Sequence, residues 1–348
     1  MESKIVRAVD CGYGYTKFTL NDGITGEGIA VQSFPSIAIP SINQGQQFVE
    51  SARNTIRVVV GKNSAYEVGH GVTALMDPHY SRQLDLKYAE SSAYLALTLG
   101  AVHYMNVTAI DLLVVGLPVK NFTYAAPILK ERLRRTHVLP TKEVEIKDVL
   151  VIPQPVGGMV DFAVQSDSVQ ALQDQNVLII DPGYFTLDWV IAKGMVVNWN
   201  RSGAVTDAGM AAFLRKTFDQ ITSQFQKQFV AEATESNLIR LDDAIRNKHD
   251  YRLHGKSINV EQFASARVTV MKDGLRKLMT SVVDISDVDS IVLVGGGASQ
   301  QYKEVVQAYF GEHQVFAAKD PAFSNTRGFQ FLGNKRAMAM SAASSSVV

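Results

Sequence analysis

Two aspartates stand at the ends of apolar segments in the two halves of the chain, and each is followed two residues later by a glycine. Asp10 opens the sequence Asp-Cys-Gly-Tyr-Gly, and Asp181 opens Asp-Pro-Gly-Tyr-Phe. A glycine in a tight turn lets backbone N–H groups form an anion-binding concavity, and a carboxylate at the end of a buried strand can hold a hydrated divalent cation. Either turn alone is most simply an ordinary hairpin. The matching pair predicts two hairpins that clamp a polyphosphate and its Mg²⁺.

A third glycine element lies near the C-terminal end of the sequence. Gly295, Gly296 and Gly297 directly follow the apolar run at 291–294 and precede a helical pattern. Three consecutive glycines leave bare backbone on which a flat group can lie. The Gly-x-Gly-x-x-Gly fingerprint of dinucleotide-binding domains has a different spacing and opens such a domain. The triplet therefore favours a nucleotide-binding turn of another kind.

The elements that must position these turns follow from the apolar periodicity. Apolar, β-branched runs enter and leave both Asp-x-Gly turns and lead into the glycine triplet, which predicts strands there. The basic run at the end of the predicted helix 126–135 is typical of a solvated helix face, and the alternative is a filament contact or a docking surface. Helices are predicted for 88–105, 126–135, 211–225, 238–248, 260–283, 301–310 and 328–343.

The order of the three glycine elements resembles that of the actin, sugar-kinase and heat-shock-chaperone superfamily of ATPases, over most of the chain. Residues 10–17 reproduce the Asp-x-Gly-x-Gly-x-x-Lys spacing of actin's first phosphate loop, with Lys17 as its lysine. Within the superfamily the chain most resembles the ParM/StbA group, bacterial actin-like proteins that segregate plasmids. The segments that carry this second resemblance are 114–119, 151–158, 180–188 and 323–333.

This resemblance implies an α/β, actin-like ATPase fold made of two related domains with a nucleotide cleft between them. Domain I would comprise residues 1–165 together with 325–348, and domain II residues 166–324. The cofactors would be ATP, with GTP as an alternative, and Mg²⁺. Asp10 and Asp181 would hold the metal, mostly through water, because Mg²⁺ keeps several of its waters.

The resemblance also implies which residues bind the nucleotide. Lys17 would reach the β- and γ-phosphates as a point charge. Lys272 and Arg276, one helical turn apart, would lie along the ribose and base, although a solvated helix face explains them nearly as well. The other candidates belong to the glycine elements and the segments that flank them: Gly12, Tyr13, Gly14, Gly183, Tyr184, Phe185, Thr186, Gly209, Gly295, Gly296, Gly297 and Asn325.

Gln154 is, with Asp10 and Asp181, a predicted catalytic residue. It follows Pro153, where the ParM group commonly has a glutamate and actin has a glutamine that positions the attacking water. A carboxamide is no strong general base, but it can orient a water in line with the γ-phosphorus. The resemblance therefore predicts slow hydrolysis. The alternative is a polar spacer between two prolines.

Three bulky or rigid residues in the second turn depart from the family pattern. Pro182, Tyr184 and Phe185 stand where smaller residues are usual. Proline removes one backbone donor, and the two rings add volume close to the expected phosphates. The second loop is therefore expected to differ from its relatives in how it wraps the γ-phosphate.

Composition sets the outer limits of the function. The chain has 348 residues, which suits two domains, and Lys plus Arg equal Asp plus Glu at 34 each. The balanced charge predicts no direct nucleic-acid binding, so any DNA contact would pass through a partner. No apolar run approaches the roughly 20 residues of a membrane span, and the N-terminal residues show no signal-peptide pattern. A cytoplasmic location without membrane contact is expected.

Three functions share this fold class, and fold alone does not choose among them. The favoured one is a slow Mg²⁺-dependent ATPase that assembles with itself into head-to-tail filaments and is captured by a DNA-binding adaptor, driving plasmid segregation. A small-molecule kinase, acting on a sugar or an acid, is the alternative, and a monomeric chaperone-type ATPase is a weaker one. Lys17, Gln154 in place of an acid, and the absence of an obvious sugar-binding insertion favour the filament.

Overall fold

Two mixed sheets, each built around a hairpin, form the framework of the protein. The computed structural model describes residues 4–23, 28–41, 54–62, 64–77, 79–167, 172–194, 196–225 and 231–345. The strands are β1 (Val6–Cys11), β2 (Tyr15–Thr19), β3 (Val31–Pro35), β4 (Ile39–Pro40), β5 (Ile56–Gly61), β6 (Ser64–Val68), β7 (Ala109–Ile110), β8 (Leu112–Leu117), β9 (Thr136–Val138), β10 (Glu143–Ile146), β11 (Val149–Pro153), β12 (Asn176–Pro182), β13 (Leu187–Lys193), β14 (Val196–Val197), β15 (Gly203–Val205), β16 (Tyr251–Leu253), β17 (Lys256–Ile258), β18 (Ser290–Leu293) and β19 (Gln314–Ala317). The helices are α1 (Ser92–Tyr104), α2 (Phe122–Leu133), α3 (Gln154–Gln165), α4 (Met210–Phe225), α5 (Glu235–Arg246), α6 (Ala264–Val282), α7 (Gln300–Phe310) and α8 (Ser324–Ser345).

The first sheet has the strand order β11-β8-β1-β2-β3. Strands β11, β8 and β1 run parallel, whereas β1, β2 and β3 form an antiparallel meander. The register of the first hairpin sets Asp10 on β1 directly opposite Lys17 on β2. Directly opposed residues of an antiparallel pair share one face of the sheet, so these two side chains meet.

The second sheet has the order β14-β13-β12-β18-β19, and β15 also pairs with β13. It repeats the plan of the first, since β12 and β13 form an antiparallel hairpin while β12, β18 and β19 run parallel. Here the register sets Asp181 opposite Asp188. The equivalent position of the two hairpins therefore holds a lysine–aspartate pair in one half and two aspartates in the other.

Two helices, α3 and α8, cross at close range and join the halves. The crossing depends on glycine, since a Cβ atom added to Gly328 would lie 1.7 Å from the carbonyl oxygen of Gly157, and one added to Gly157 would lie 2.4 Å from the ring of Phe329. Beside this contact Arg327 makes two hydrogen bonds, of 2.8 and 2.7 Å, to the buried carboxylate of Asp161. The crossing is thus both close-packed and ion-paired.

The core consists of three apolar clusters. One fills the first half beneath α1 and α2, and another fills the second half among α4, α5, α6 and α7. The third draws residues from both sheets and from the crossing helices, including Ala8, Val114, Val156, Ile179 and Phe329. Because this last cluster is shared, the crossing helices and the inner faces of both sheets are packed as one unit.

Most predicted elements are confirmed, and the departures have local causes. Every predicted helical segment is helical, but α2 begins at Phe122 rather than 126, and its Arg132 donates to the backbone carbonyls of Ala89, Glu90 and Ser91 instead of only facing solvent. Helix α3, which begins at Gln154 itself, lies outside the predicted helical segments. The proposed domain bounds at 165/166 and 324/325 stay a prediction. Among the described helices, none is both long and apolar enough to cross a membrane.

Candidate functional site

The tips of the two hairpins face each other across a cavity of about 180 Å³. Most of the predicted site residues line it, and they come from both sheets, from α3 and from α8. Those residues are Asp10, Gly12, Tyr13, Gly14, Lys17, Gln154, Asp181, Gly183, Tyr184, Thr186, Gly296, Gly297 and Asn325. Residues up to 315 positions apart in the sequence therefore line the same cavity, as Asp10 and Asn325 show.

The two turns are closed in the same way. In the first, the N–H of Gly12 donates to the carbonyl of Tyr15 at 3.2 Å; in the second, the N–H of Gly183 donates to that of Thr186 at 2.8 Å. These two N–H groups are therefore engaged within their turns. Any anion in the cavity must be bound by the other N–H groups of the loops and by side chains.

Asp10 is held by one residue from each neighbouring element. Gln154, the first residue of α3, donates its Nε2 to Asp10 Oδ1 at 2.7 Å, and the Lys17 Nζ atom lies 3.4 Å from Oδ2. The carboxylate is only 1% exposed. With its amide nitrogen on Asp10, Gln154 presents its Oε1 as the atom that can accept a hydrogen from a water.

Among the carboxyl groups of the cavity, Asp181 has the pKa that is raised furthest. It accepts a 2.7 Å hydrogen bond from Asn325 Nδ2, yet burial raises its pKa to about 7. Gly295 has a φ of +78°, and a Cβ there would lie 1.8 Å from Asp181 Oδ1, so only glycine allows this approach. Asn325 Oδ1 is buried without a hydrogen-bond partner. That atom is the unsatisfied acceptor of the site.

Asp188 is a site residue that was not among the predicted ones. It lines the cavity, accepts a 2.9 Å hydrogen bond from the Val119 N–H of the other half, and burial raises its pKa to about 6. The signal was present in the Thr-Leu-Asp that ends the second motif. Three carboxyl groups, Lys17 and Arg246 thus line the cavity, and a bound cation would favour the ionised form of the buried carboxyl groups.

Two predicted residues support the second turn rather than line the cavity. The Phe185 ring packs on Tyr13, with centroids 4.9 Å apart, and Tyr13 in turn stacks on Tyr88 at 4.7 Å. A Cβ on Gly209 would lie 2.7 Å from the Tyr184 carbonyl oxygen, and that carbonyl accepts from the Ala211 N–H. Phe185 and Gly209 therefore fix the position of the loop.

Lys272 and Arg276 lie elsewhere than predicted. Both are exposed on α6, Arg276 pairs with Asp273 at 2.8 Å, and neither lines the cavity or the wider cleft of about 1030 Å³ that adjoins it. Residues that do line this cleft come from α5, α6 and α7 and had no distinctive local motif. They include Lys248, His249, Arg267, Gln300, Gln301 and Glu304, together with Arg246, Gly296 and Gly297, which line both spaces.

Comparison with known proteins agrees with this geometry. Residues 8–157 match the family model of actin-like protein N-terminal domains. No curated protein matches the sequence. Among solved structures, a non-polymerisable quadruple mutant of the pCBH ParM is similar at a TM-score of 0.73, with 19% identity over 96% of this chain and 100% of that one.

Two further structures extend the likeness. A 15-stranded ParM filament from Clostridium botulinum gives a TM-score of 0.69, with 18% identity over 96% of this chain and 100% of that one. An archaeal actin homologue in complex with ADP gives 0.70, with 18% identity over 95% of this chain and 99% of that one.

Residues 8–157 are therefore similar to actin-like protein N-terminal domains, and the chain as a whole has the actin-like α/β fold. The resemblance to ParM-type actin homologues that the motifs indicated is confirmed.

Proposed function

We propose that this protein is an actin-like ATPase that binds a nucleoside triphosphate with Mg²⁺ between its two halves, hydrolyses it slowly, and assembles into filaments. The observation that carries the proposal is the cavity in which both Asp-x-Gly turns, Lys17 and Gln154 converge. ATP is the favoured nucleotide, and GTP stays the alternative because a bare glycine platform discriminates poorly between purines.

The phosphates and the nucleoside would occupy different spaces. The cavity between the hairpins is small and bordered by Lys17, whereas the adjoining cleft has room for a sugar and a base. Gly296 and Gly297 line both, so they would lie under the α-phosphate and ribose. A Cβ on Gly296 would have the Lys17 Nζ as its nearest neighbour, at 3.8 Å, so this backbone has an open side. Arg246 and Arg267, rather than Lys272 and Arg276, would approach the nucleoside.

The residues present fit a magnesium ion. Among the residues that the structure describes, no three His, Cys, Asp or Glu side chains are arranged to bind a metal directly. Asp10 and Asp181 would hold the ion, mostly through water, because Mg²⁺ prefers oxygen ligands and keeps several of its waters. The ion would neutralise charge on the phosphates. Its positive charge would also lower the pKa values of Asp181 and Asp188, which burial raises.

Gln154 would act on water rather than on phosphate. Its Nε2 is anchored to Asp10, and its Oε1 is free to orient a water for attack. Because it cannot take the proton as a strong base would, turnover would be slow. Slow hydrolysis suits a filament, because the hydrolysis rate then sets how long the polymer lasts.

The two proposed domains, residues 1–165 with 325–348 and residues 166–324, would move about the α3–α8 crossing. The Asp161–Arg327 pair and the Gly157–Gly328 contact lie there. Closing on nucleotide would then favour a polymerising conformation. Head-to-tail contacts are heterologous and do not close, so one repeated interface gives a filament.

Two structural neighbours support assembly and nucleotide binding, since one is a ParM filament and another holds ADP. By analogy we propose capture of the filament by a DNA-binding adaptor in the cytoplasm, for segregation of plasmid DNA. The kinase alternative is not carried forward, because the structural matches reported above are all actin homologues.

Calorimetry tests the nucleotide site. We expect ATP to bind with Mg²⁺, and Asp181→Ala to lose most hydrolysis because it removes one of the two carboxylates that organise the metal. An exposed aspartate in the second half, Asp287→Asn, is the control, since it lies outside the cavity. No Mg²⁺-dependent binding of ATP or GTP at millimolar nucleotide would refute the proposed function.

A further inference from the structure

A buried ion pair joins the two halves beside the cavity. Arg82 lies in the segment before α1, and Glu235 is the first residue of α5. Their side chains are 4% and 2% exposed, and Arg82 Nη1 donates to Glu235 Oε1. Charged side chains this deeply buried are rare unless they are paired. Neither residue belongs to a motif that the sequence singled out.

The same two side chains hold the second turn against the first. The Tyr184 hydroxyl donates to Glu235 Oε1 at 3.1 Å, and the Arg82 guanidinium lies 4.5 Å over the Tyr184 ring. Arg82 Nη2 also donates to the Gly14 carbonyl at 3.4 Å. The Tyr184 ring itself rests on Gly14, where an added Cβ would meet it at 3.0 Å. Gly14, Arg82, Tyr184 and Glu235 therefore form one cluster, called here the cross-cleft cluster.

Further along α5, the same face of the helix reaches the first half again. Arg246 is held by two 2.8 Å hydrogen bonds to Asp242, and its guanidinium lies 5.9 Å from the centre of the Tyr15 ring. Glu235, Asp242 and Arg246 are spaced by seven and four residues, which places them on one face of the helix. Helix α5 thus approaches the first half at both of its ends, through Arg82 at one and Tyr15 at the other.

We propose that the cross-cleft cluster is a latch whose opening limits the release of nucleotide. Tyr184 and Gly14 line the cavity, so a nucleotide held between the turns would leave readily only if these residues part. Parting them requires Arg82 and Glu235 to separate. The latch bears on nucleotide only if the proposed function is correct, but its geometry is independent of that function.

The latch is well suited to open and close. Arg82 Nε is buried without a hydrogen-bond partner, so the closed pair is not fully satisfied. On opening, both charges regain their hydration, which offsets much of the lost attraction. Such an ion pair is either formed or broken, so the two halves have two discrete arrangements rather than a continuous range of them.

The first experiment needs no nucleotide. Ser81 and Ser236 are exposed neighbours of the two charged residues, and the single native cysteine, Cys11, is buried, so both serines can be replaced by cysteine and spin-labelled. Double electron–electron resonance then measures the distance between the two spin labels, one on each side of the latch. We expect Glu235→Gln to lengthen or split the distance distribution, because Arg82 loses its counter-charge. An unchanged distribution would show that the pair is not what holds the halves together.

The second experiment measures release of a fluorescent ATP analogue chased with unlabelled ATP. We expect Glu235→Gln to release it about tenfold faster, because removing one partner of a buried pair leaves the other unpaired. Asp287→Asn removes a carboxylate from an exposed pair within the second half and should leave the rate unchanged. Equal rates in Glu235→Gln and the parent would overturn the latch.

Two milder variants keep the test valid if Glu235→Gln fails to fold. Arg82→Lys keeps the charge but loses the second donor of the fork, and Tyr184→Phe keeps the ring but loses the hydroxyl bond to Glu235. Both should release the analogue faster than the parent and slower than Glu235→Gln. If the parent binds no analogue at all, the nucleotide function fails, while the label distances still decide whether the latch exists.

Discussion

At the scale of single residues, the site depends on how each carboxylate is partnered. Asp10 is engaged on both oxygens, by Gln154 and Lys17, and no comparable cation faces Asp181 across its own hairpin, where the opposite residue is Asp188. The result is an asymmetric pair of related loops. The first holds a carboxylate that is hydrogen-bonded on both oxygens, and the second holds two carboxyl groups whose pKa values are raised by burial.

Gln154→Ala tests the role of the glutamine. We expect the rate of ATP hydrolysis to fall about 100-fold, because a positioned proton-transfer or water-orienting group contributes on that order, while the Kd for ATP changes little. Gln165→Ala is the matched control, since this glutamine lies on the same helix and bonds Asp161 instead. An equal loss of binding and turnover in Gln154→Ala would assign the residue to structure.

The stability of the nucleotide-free protein should depend on pH in a defined sense. Asp181 and Asp188 have folded pKa values of about 7 and about 6, above the ordinary aspartate value of 3.8, so the folded state binds more protons than the unfolded state between these limits. The free energy of unfolding should therefore fall as pH rises from about 4 to about 7, with a limiting slope of about 1.4 kcal/mol per pH unit for each group. Urea titrations would show this slope in the parent and a flatter one in Asp181→Asn. A slope that persists unchanged in the variant would contradict the assignment.

At the scale of elements, the turns were predictable and the surfaces between elements were not. Residues 10–17 and 180–188 form the two hairpins because glycine turns and flanking β-branched runs act locally. Helix α3 lay outside the predicted helical segments because its proline, the proline before it and its two glycines argue against a helix, whereas tertiary packing on α8 stabilises one. Lys272 and Arg276 were misplaced because sequence gives the spacing along a helix and not the direction its face takes.

Gly328→Ala tests the crossing of α3 and α8. The new methyl group would meet the Gly157 carbonyl, so the helices must separate, and we expect a loss of at least about 1–3 kcal/mol in the free energy of unfolding. Gly61→Ala is the control, because a Cβ there meets nothing within 4 Å, and it should change stability by less than about 0.5 kcal/mol. Chemical denaturation of both variants decides the matter, and equal stabilities would mean that the crossing can relax.

At the scale of the whole molecule, two sheets of one plan meet at a shared apolar cluster, and the cavity lies between their hairpins. The overall fold was predicted from the family resemblance that three motifs in the right order carry, because the motifs by themselves fix only strand ends and turns. The cross-cleft cluster could not be predicted, because Arg82 and Glu235 are 153 residues apart and neither has a local pattern. Contacts between distant charges become visible only in the folded chain.

Nucleotide-dependent assembly is the measurement that tests the central claim most directly. Purified protein is mixed with ATP and Mg²⁺, with ADP and Mg²⁺, or with no nucleotide, and followed by light scattering and electron microscopy. Asp181→Ala serves as the control that keeps the surface and loses the site. We predict helical polymers with ATP that shorten as it is hydrolysed, and few or none with ADP or in the variant. A protein that binds ATP and Mg²⁺ yet stays monomeric at every concentration tested would contradict the account.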